Sequence, residues 1–170
     1  KITLIYGDLS EGLDTIIYDL QPELIFNMGS MSQVRVSFDT PTYTMITNAV
    51  GPLRILEAIR RLNLKDKTRV YQASSSEQFG SSPPPQDENT PFLPCSPYGI
   101  AKLAAYWTVK TYRDAYGLFA CTGILFNHSG PKRGETFVEK KIVRSAVRIK
   151  LKKQHSLILG NLDAKRDWGS

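Results

Sequence analysis

Arg69-Val70-Tyr71-Gln72-Ala73-Ser74-Ser75-Ser76-Glu77, followed after a proline-rich loop by Ser96-Pro97-Tyr98-Gly99-Ile100-Ala101-Lys102, decides the fold class of this chain. The first stretch reads as an apolar strand that runs into hydroxyls and a carboxylate. The second opens a helix in which Tyr98 and Lys102, four apart, lie on one face where their side chains can meet. A free tyrosine, with a pKa of about 10, is a poor base at neutral pH. A neighbouring ammonium favours the phenolate and brings the tyrosine into the working range of a general base. Tyr-x-x-x-Lys alone is ordinary helix surface in most chains. A strand ending in hydroxyls and a carboxylate, then a loop, then this helix, is an arrangement for chemistry on an alcohol or sugar carbon.

Working outward, apolar strands alternate with helical patterns. Ile2 to Tyr6 reads as a strand closed by Gly7-Asp8. Glu11 to Leu20 has helical spacing, with Ser10 as N-cap and Pro22 as the stop. Leu24 to Met28 is a second strand, running into the small polar loop Gly29 to Gln33. Thr44 to Leu62 reads as one long helix, and Val70 to Ala73 as the third strand. Ser81 to Cys95 holds five of the ten prolines and is therefore loop. Tyr98 to Tyr116 is a helix closed by Gly117. Phe119 to Phe126 is the fourth strand, Phe137 to Leu151 a basic amphipathic helix, and Leu157 to Asn161 a short strand. Strand–helix alternation with short, right-handed connections predicts an α/β doubly wound parallel sheet. Ligands in such folds bind beyond the carboxyl ends of the strands. Polar clusters fall there in turn: Asp8, Gly29 to Gln33, Ser74 to Glu77, and Asn127-His128.

At 170 residues and 41% apolar composition the chain can bury a core. No apolar run reaches the roughly 20 residues of a membrane span, and no signal-peptide pattern opens it. Two cysteines, Cys95 and Cys121, and two histidines at unrelated spacings predict neither a disulfide framework nor a metal site, and a reducing cytoplasm is the simplest setting. The net charge of +6 gathers at Lys132 to Lys153, where nine Lys/Arg face only Glu135 and Glu139. Such a patch suits an anionic partner, and a solvated helix face explains it as well. The ends, Lys1 beside a strand pattern and Ser170 after Asp167-Trp168-Gly169, read as those of an internal piece of a longer chain.

Gly7-Asp8-Leu9, Gln72-Ala73-Ser74-Ser75-Ser76-Glu77, Ser96-Pro97-Tyr98-Gly99, Gly123-Ile124-Leu125-Phe126-Asn127-His128 and Gly160-Asn161-Leu162-Asp163-Ala164-Lys165-Arg166-Asp167-Trp168-Gly169 together resemble the GDP-mannose 4,6-dehydratase family of extended short-chain dehydrogenases/reductases. The resemblance spans nearly the whole chain, and the last motif is the most specific. It implies a Rossmann-like sheet incomplete at both ends. Residues 1–130 would be a partial dinucleotide-binding domain that lacks its first two strands and Gly-rich loop, and 131–170 the start of a nucleotide-sugar domain. No G-x-x-G-x-x-G occurs in the sequence. Where the family has Ala-Gln-Ser-His after the second-strand glycine, this chain has Ser30-Met31-Ser32-Gln33. Where it has Glu-Ser-Pro-Arg-Arg after Asn127-His128, this chain has Ser129-Gly130-Pro131-Lys132-Arg133.

The resemblance also implies a lyase reaction of nucleotide-sugar metabolism, on the route to GDP-fucose: GDP-mannose becomes GDP-4-keto-6-deoxymannose by NADP-mediated internal hydride transfer and loss of water. Tyr98 would take the 4-hydroxyl proton, Glu77 the C5 proton, with Ser75 at the sugar oxygen and Lys102 serving both cofactor and Tyr98. Asp8, Leu9, Met28, Gly29, Ser32, Tyr43, His128 and Arg133 resemble cofactor contacts. Ser32, Asn127, Lys141 and Arg166 resemble substrate contacts. A homo-oligomer, dimer or tetramer, follows for the full-length protein, and inactivity for these residues alone. Two other enzymes of the superfamily, an epimerase or a different dehydratase, share most of these features, though an epimerase does not need Glu77 for an elimination. A non-catalytic fragment or pseudoenzyme fits the missing phosphate loop. Nucleic-acid binding through Lys132 to Lys153 is the weakest alternative, since a basic helix equally suits a diphosphate.

Overall fold

The computed structural model describes residues 2–169, which divide into two units, one ending at Leu125 and one beginning at Phe126. In the first, Leu24–Asn27 (β1), Arg69–Ala73 (β2) and Ala120–Gly123 (β3) form a parallel sheet in the order β1-β2-β3. The register sets Ile25, Val70 and Ala120 side by side. These residues face the helices. Val70 and Ala120 join Ile17, Ile55, Leu56, Ile59, Val109 and Leu118 in the buried core, with Ile25 packed against it. The opposite sheet face is bare, with Leu24 58%, Phe26 67% and the flanking Phe119 60% exposed.

The helices follow the local chemistry closely. Leu13–Leu20 (α1) ends at Gln21, one residue before Pro22. It starts two residues later than its apolar spacing suggests, with Gly12 rather than Ser10 as its N-cap, and the Ser10 N–H donates to the Asp8 carboxylate at 2.8 Å. Val34–Asp39 (α2) and Pro41–Met45 (α3) precede a π-turn at Ile46–Val50, which leads into Gly51–Arg61 (α4). The single helix expected over Thr44 to Leu62 is thus interrupted. Pro52 has no N–H to donate to the carbonyl four residues back, and the wider π register absorbs the gap, with the Gly51 N–H donating to the Ile46 carbonyl. Pro97–Tyr116 (α5) is capped by Ser96, whose hydroxyl accepts the Gly99 N–H at 3.0 Å. It closes on Gly117 at φ 68°, a left-handed geometry that glycine adopts without penalty. Tyr112 of α5 donates to Glu57 of α4 at 2.8 Å, and Arg60 grips the same carboxylate, so the two helices are clasped.

Two strands read from the sequence do not form. Ile2 to Tyr6 runs outside any ladder and is exposed, Ile2 to 95%. Leu157 to Asn161 is likewise irregular. A strand exists by virtue of its partner, and neither segment has a ladder neighbour among the described residues. The fourth strand is shorter than its apolar run, stopping at Gly123. In the second unit Asn127–His128 (β4) pairs in parallel with Trp168–Gly169 (β5), and Val138–Lys150 (α6) lies between them in sequence. That pairing was not expected.

Candidate active site

Ser74 to Glu77 leave the carboxyl end of β2 as a short 3₁₀ turn, Ser76–Gln78, capped by the Ser75 hydroxyl, which accepts the Glu77 N–H at 3.2 Å. Ser75 and Glu77 are half-buried. The first turn of α5 lies directly against this turn. A β-carbon on Gly99 would sit 2.6 Å from the Glu77 carbonyl oxygen, so only glycine lets the two backbones approach. Gly99 therefore lets the Glu77 backbone close against the first turn of α5, the turn that carries Tyr98. Sequence reasoning quoted Gly99 but gave it no role. The signal was a glycine in the first turn of a helix, where it costs helical stability.

One turn along α5, Lys102 is 3% exposed. Its Nζ lies 5.7 Å from the centre of the Tyr98 ring and donates to the Ala73 carbonyl at 3.0 Å. The structure thus brings Ser75, Glu77, Tyr98 and Lys102 to one end of β2. Burial pushes the Lys102 ammonium down to about 8.

Asp8 and Tyr43, far apart in sequence, meet: the Tyr43 hydroxyl donates to Asp8 at 3.1 Å. The Ser10 backbone N–H, then the Ser10 and Tyr43 hydroxyls, hold the Asp8 carboxyl below its usual range. Leu9 packs against the α-carbons of both Gly29 and Gly51, where any β-carbon would strike its side chain at 2.8 Å. Met28, Gly29 and Ser32 are exposed in the loop after β1. That loop is held by Asn48 of the π-turn, a residue the sequence did not single out. Its buried amide accepts from the Met31 N–H at 2.8 Å and the Ser30 hydroxyl at 3.0 Å, and donates to the Met31 carbonyl at 2.8 Å.

In the second unit, His128 lies on β4 with its Nδ1 2.8 Å from the Phe126 carbonyl. The ladder pairs Asn127 with Trp168, and Arg166 stands two residues before Trp168 in the chain. Arg166 is exposed and donates to the Lys165 carbonyl. Arg133 is engaged locally, by Glu139 at 2.7 Å and by the Phe137 ring under its guanidinium at 3.6 Å. Lys141 on α6 donates to the Ile158 carbonyl at 2.7 Å. Among the described residues no His, Cys, Asp or Glu cluster is set to hold a metal, and no helix is long and apolar enough to cross a membrane. Cys95 and Cys121 are both free and exposed.

A family model described as GDP-mannose 4,6 dehydratase matches residues 1–170. The chain belongs to the GDP-mannose 4,6-dehydratase family. A GDP-mannose 4,6-dehydratase of Sinorhizobium fredii is 55% identical over 172 residues, covering 99% of this chain and 49% of that protein. The chain spans about half the length of the curated relatives it matches. Among solved structures, RMD from Pseudomonas aeruginosa complexed with NADPH superposes with a TM-score of 0.84 at 26% identity, over 96% of this chain and 57% of that one. A UDP-N-acetylglucosamine 4-epimerase from Methanobrevibacter ruminantium, in complex with UDP-N-acetylmuramic acid, gives 0.80 at 27% identity, over 98% and 53%. The sheet and helices of this family member are therefore those of a Rossmann-type extended short-chain dehydrogenase/reductase.

Proposed function

We propose that these residues are the central part of a longer, NADP-dependent GDP-mannose 4,6-dehydratase that forms GDP-4-keto-6-deoxymannose. The observation that carries this reading is the close backbone contact of Glu77 with Gly99, which packs the turn bearing Ser75 and Glu77 against the helix turn that carries Tyr98 and Lys102. Epimerases of the superfamily need the tyrosine and lysine, whereas an elimination also needs a base for C5.

Each residue has a part. Tyr98 accepts the 4-hydroxyl proton, and Ser75 holds that oxygen as it becomes a carbonyl. The carbonyl makes the C5 hydrogen acidic, and Glu77 removes it as a proton. The C6–oxygen bond then breaks, the proton taken by Glu77 leaves with the hydroxyl as water, and when C6 is reduced C5 regains a proton by way of Glu77 and solvent, which takes up the one held by Tyr98. A nicotinamide, when bound, supplies the hydride acceptor and donor that no side chain can. The residues present suit that group: an ammonium has three donors, of which Lys102 gives one to Ala73, leaving others for ribose hydroxyls. Asp8, Leu9, Met28, Gly29, Ser32 and Tyr43 would line the cofactor in the first unit, and His128 and Arg133 its phosphates. Ser32 and Asn127 would meet the sugar, and Lys141 and Arg166 the diphosphate, for which a guanidinium fork is suited. On this reading residues up to 130 serve the dinucleotide and 131–170 begin the substrate domain. The setting is cytoplasmic. Ile100 and Trp107, half exposed on α5 with Leu53 of α4, support a homo-oligomer.

Glu77→Gln in the longer protein tests the proposal. The amide cannot accept the C5 proton, so solvent-deuterium exchange at C5 and dehydration should vanish while GDP-mannose still binds. Turnover at the native rate by this variant removes Glu77 from the mechanism. A native protein that binds neither GDP-mannose nor NADPH points instead to a non-catalytic relative.

A further inference from the structure

Beneath the site runs a buried polar line that the mechanism leaves unused. Asn27 and Gln72 are register partners on β1 and β2. Asn27 Nδ2 donates to Gln72 Oε1 at 2.7 Å, and Gln72 Nε2 donates onward to the Ala73 carbonyl at 2.9 Å. That oxygen is the same one that accepts from Lys102 Nζ. Gln72 is 2%, Lys102 3% and Asn27 5% exposed.

The placement needs a reason. On this sheet face, two residues before Asn27 and Gln72, stand Ile25 and Val70, which pack into the core. An aliphatic pair at 27 and 72 would continue that packing, whereas a buried amide costs free energy unless both its ends are satisfied. Both ends of Gln72 are satisfied, and its outlet is the carbonyl that holds Lys102. A carbonyl oxygen has two lone pairs. The Gln72 amide occupies one and directs the ammonium to the other. Two donors on one oxygen also oppose each other, so the amide limits how tightly the carbonyl holds the ammonium.

We propose that Gln72, backed by Asn27, is a positioning residue for Lys102, setting through the Ala73 carbonyl where the ammonium stands beside Tyr98. Its consequence for turnover rests on the dehydratase reading above; its effect on Lys102 does not.

Two variants of the longer protein test it. Gln72→Met keeps the side chain's length and removes both bonds. Gln72→Glu keeps the acceptor for Asn27 and removes the donor to Ala73. Either change strengthens the hold on the ammonium, the second also by adding an opposite charge, so Lys102 stays protonated to higher pH. The readout is lysine acetylation by an N-hydroxysuccinimide ester at pH 8, followed by peptide mass spectrometry with exposed Lys65 as internal reference. Lys102 should label about threefold slower in Gln72→Met and about fivefold slower in Gln72→Glu, fivefold being what a rise of one pKa unit from about 8 gives at pH 8. The kcat should fall with the KM for GDP-mannose unchanged. Should Gln72→Met fail to fold, Gln72→Glu carries the test alone. Native labelling of Lys102 in folded variants overturns the proposal, and so does a loss of kcat with labelling unchanged. Slower labelling in a protein that never dehydrates GDP-mannose leaves the positioning role standing and removes the dehydratase reading.

Discussion

Lys102 is the one Lys, Arg, Asp or Glu among the described residues that is almost wholly out of water. Burial lowers its pKa from 10.5 to about 8, and the sign of the consequence follows. Below about pH 8 the lysine is charged in both folded and unfolded chains, and the folded protein bears the full cost of a buried ammonium. Between about 8 and 10.5 the unfolded chain holds the proton that the folded protein has lost, so stability rises with pH across this window. Lys102→Met should therefore flatten the rise in urea-unfolding free energy over that range. It should also add about 1–3 kcal/mol near pH 7, the upper figure being the shift converted at 1.36 kcal/mol per unit. Parallel stability curves for native and variant proteins would show that the ammonium carries no such cost. A site that keeps a destabilising cation for its chemistry is one where stability and activity pull apart.

At the scale of elements, the decisive contact is helix against turn. A β-carbon on Gly99 would meet the Glu77 carbonyl oxygen at 2.6 Å and Pro94 Cβ at 3.2 Å. Replacing glycine by alanine within a helix normally stabilises by about 1 kcal/mol. Here the nearer obstacle is backbone, which cannot turn aside, and overpacking of this kind costs about 1–3 kcal/mol. Gly99→Ala is thus expected to lower the melting temperature and to depress kcat by moving Glu77 away from Tyr98. Ser96→Ala serves as the contrast: it removes only the cap bond to Gly99 N–H, for about 1 kcal/mol, and should leave kcat nearly native. A melting temperature raised by Gly99→Ala would mean that α5 and the Ser76–Gln78 turn are not held in this contact.

Across the whole molecule, the three-stranded sheet has helices on one face and Leu24, Phe26 and Phe119 on the other. An apolar sheet face and an unpaired outer edge favour association. No Gly-rich turn stands in the sequence to present backbone donors and a helix N-terminus to a pyrophosphate. We predict that these 170 residues on their own neither bind NADPH tightly nor dehydrate GDP-mannose. Titration with NADPH, followed by its fluorescence, measures this directly. Saturable micromolar binding by a monodisperse sample would show that the residues present are enough to hold the cofactor.

What the sequence determined alone is what short-range chemistry controls. Ser96, Pro97 and Gly117 mark the ends of α5 because caps and left-handed stops act within a turn. Tyr98 and Lys102 share a face because the helix repeat is local. The apolar runs at Leu24 and Val70 become strands because each finds a parallel neighbour. Ile2 to Tyr6 is comparably apolar and does not, since its pairing depends on a partner that composition cannot supply. The tertiary structure decided the rest: the meeting of Asp8 with Tyr43, the closeness of Glu77 and Gly99, and the line from Asn27 through Gln72 to Lys102. Each joins residues on separate elements through hydrogen bonds or close backbone approach, and such contacts exist only once the sheet register and helix packing have brought those elements together.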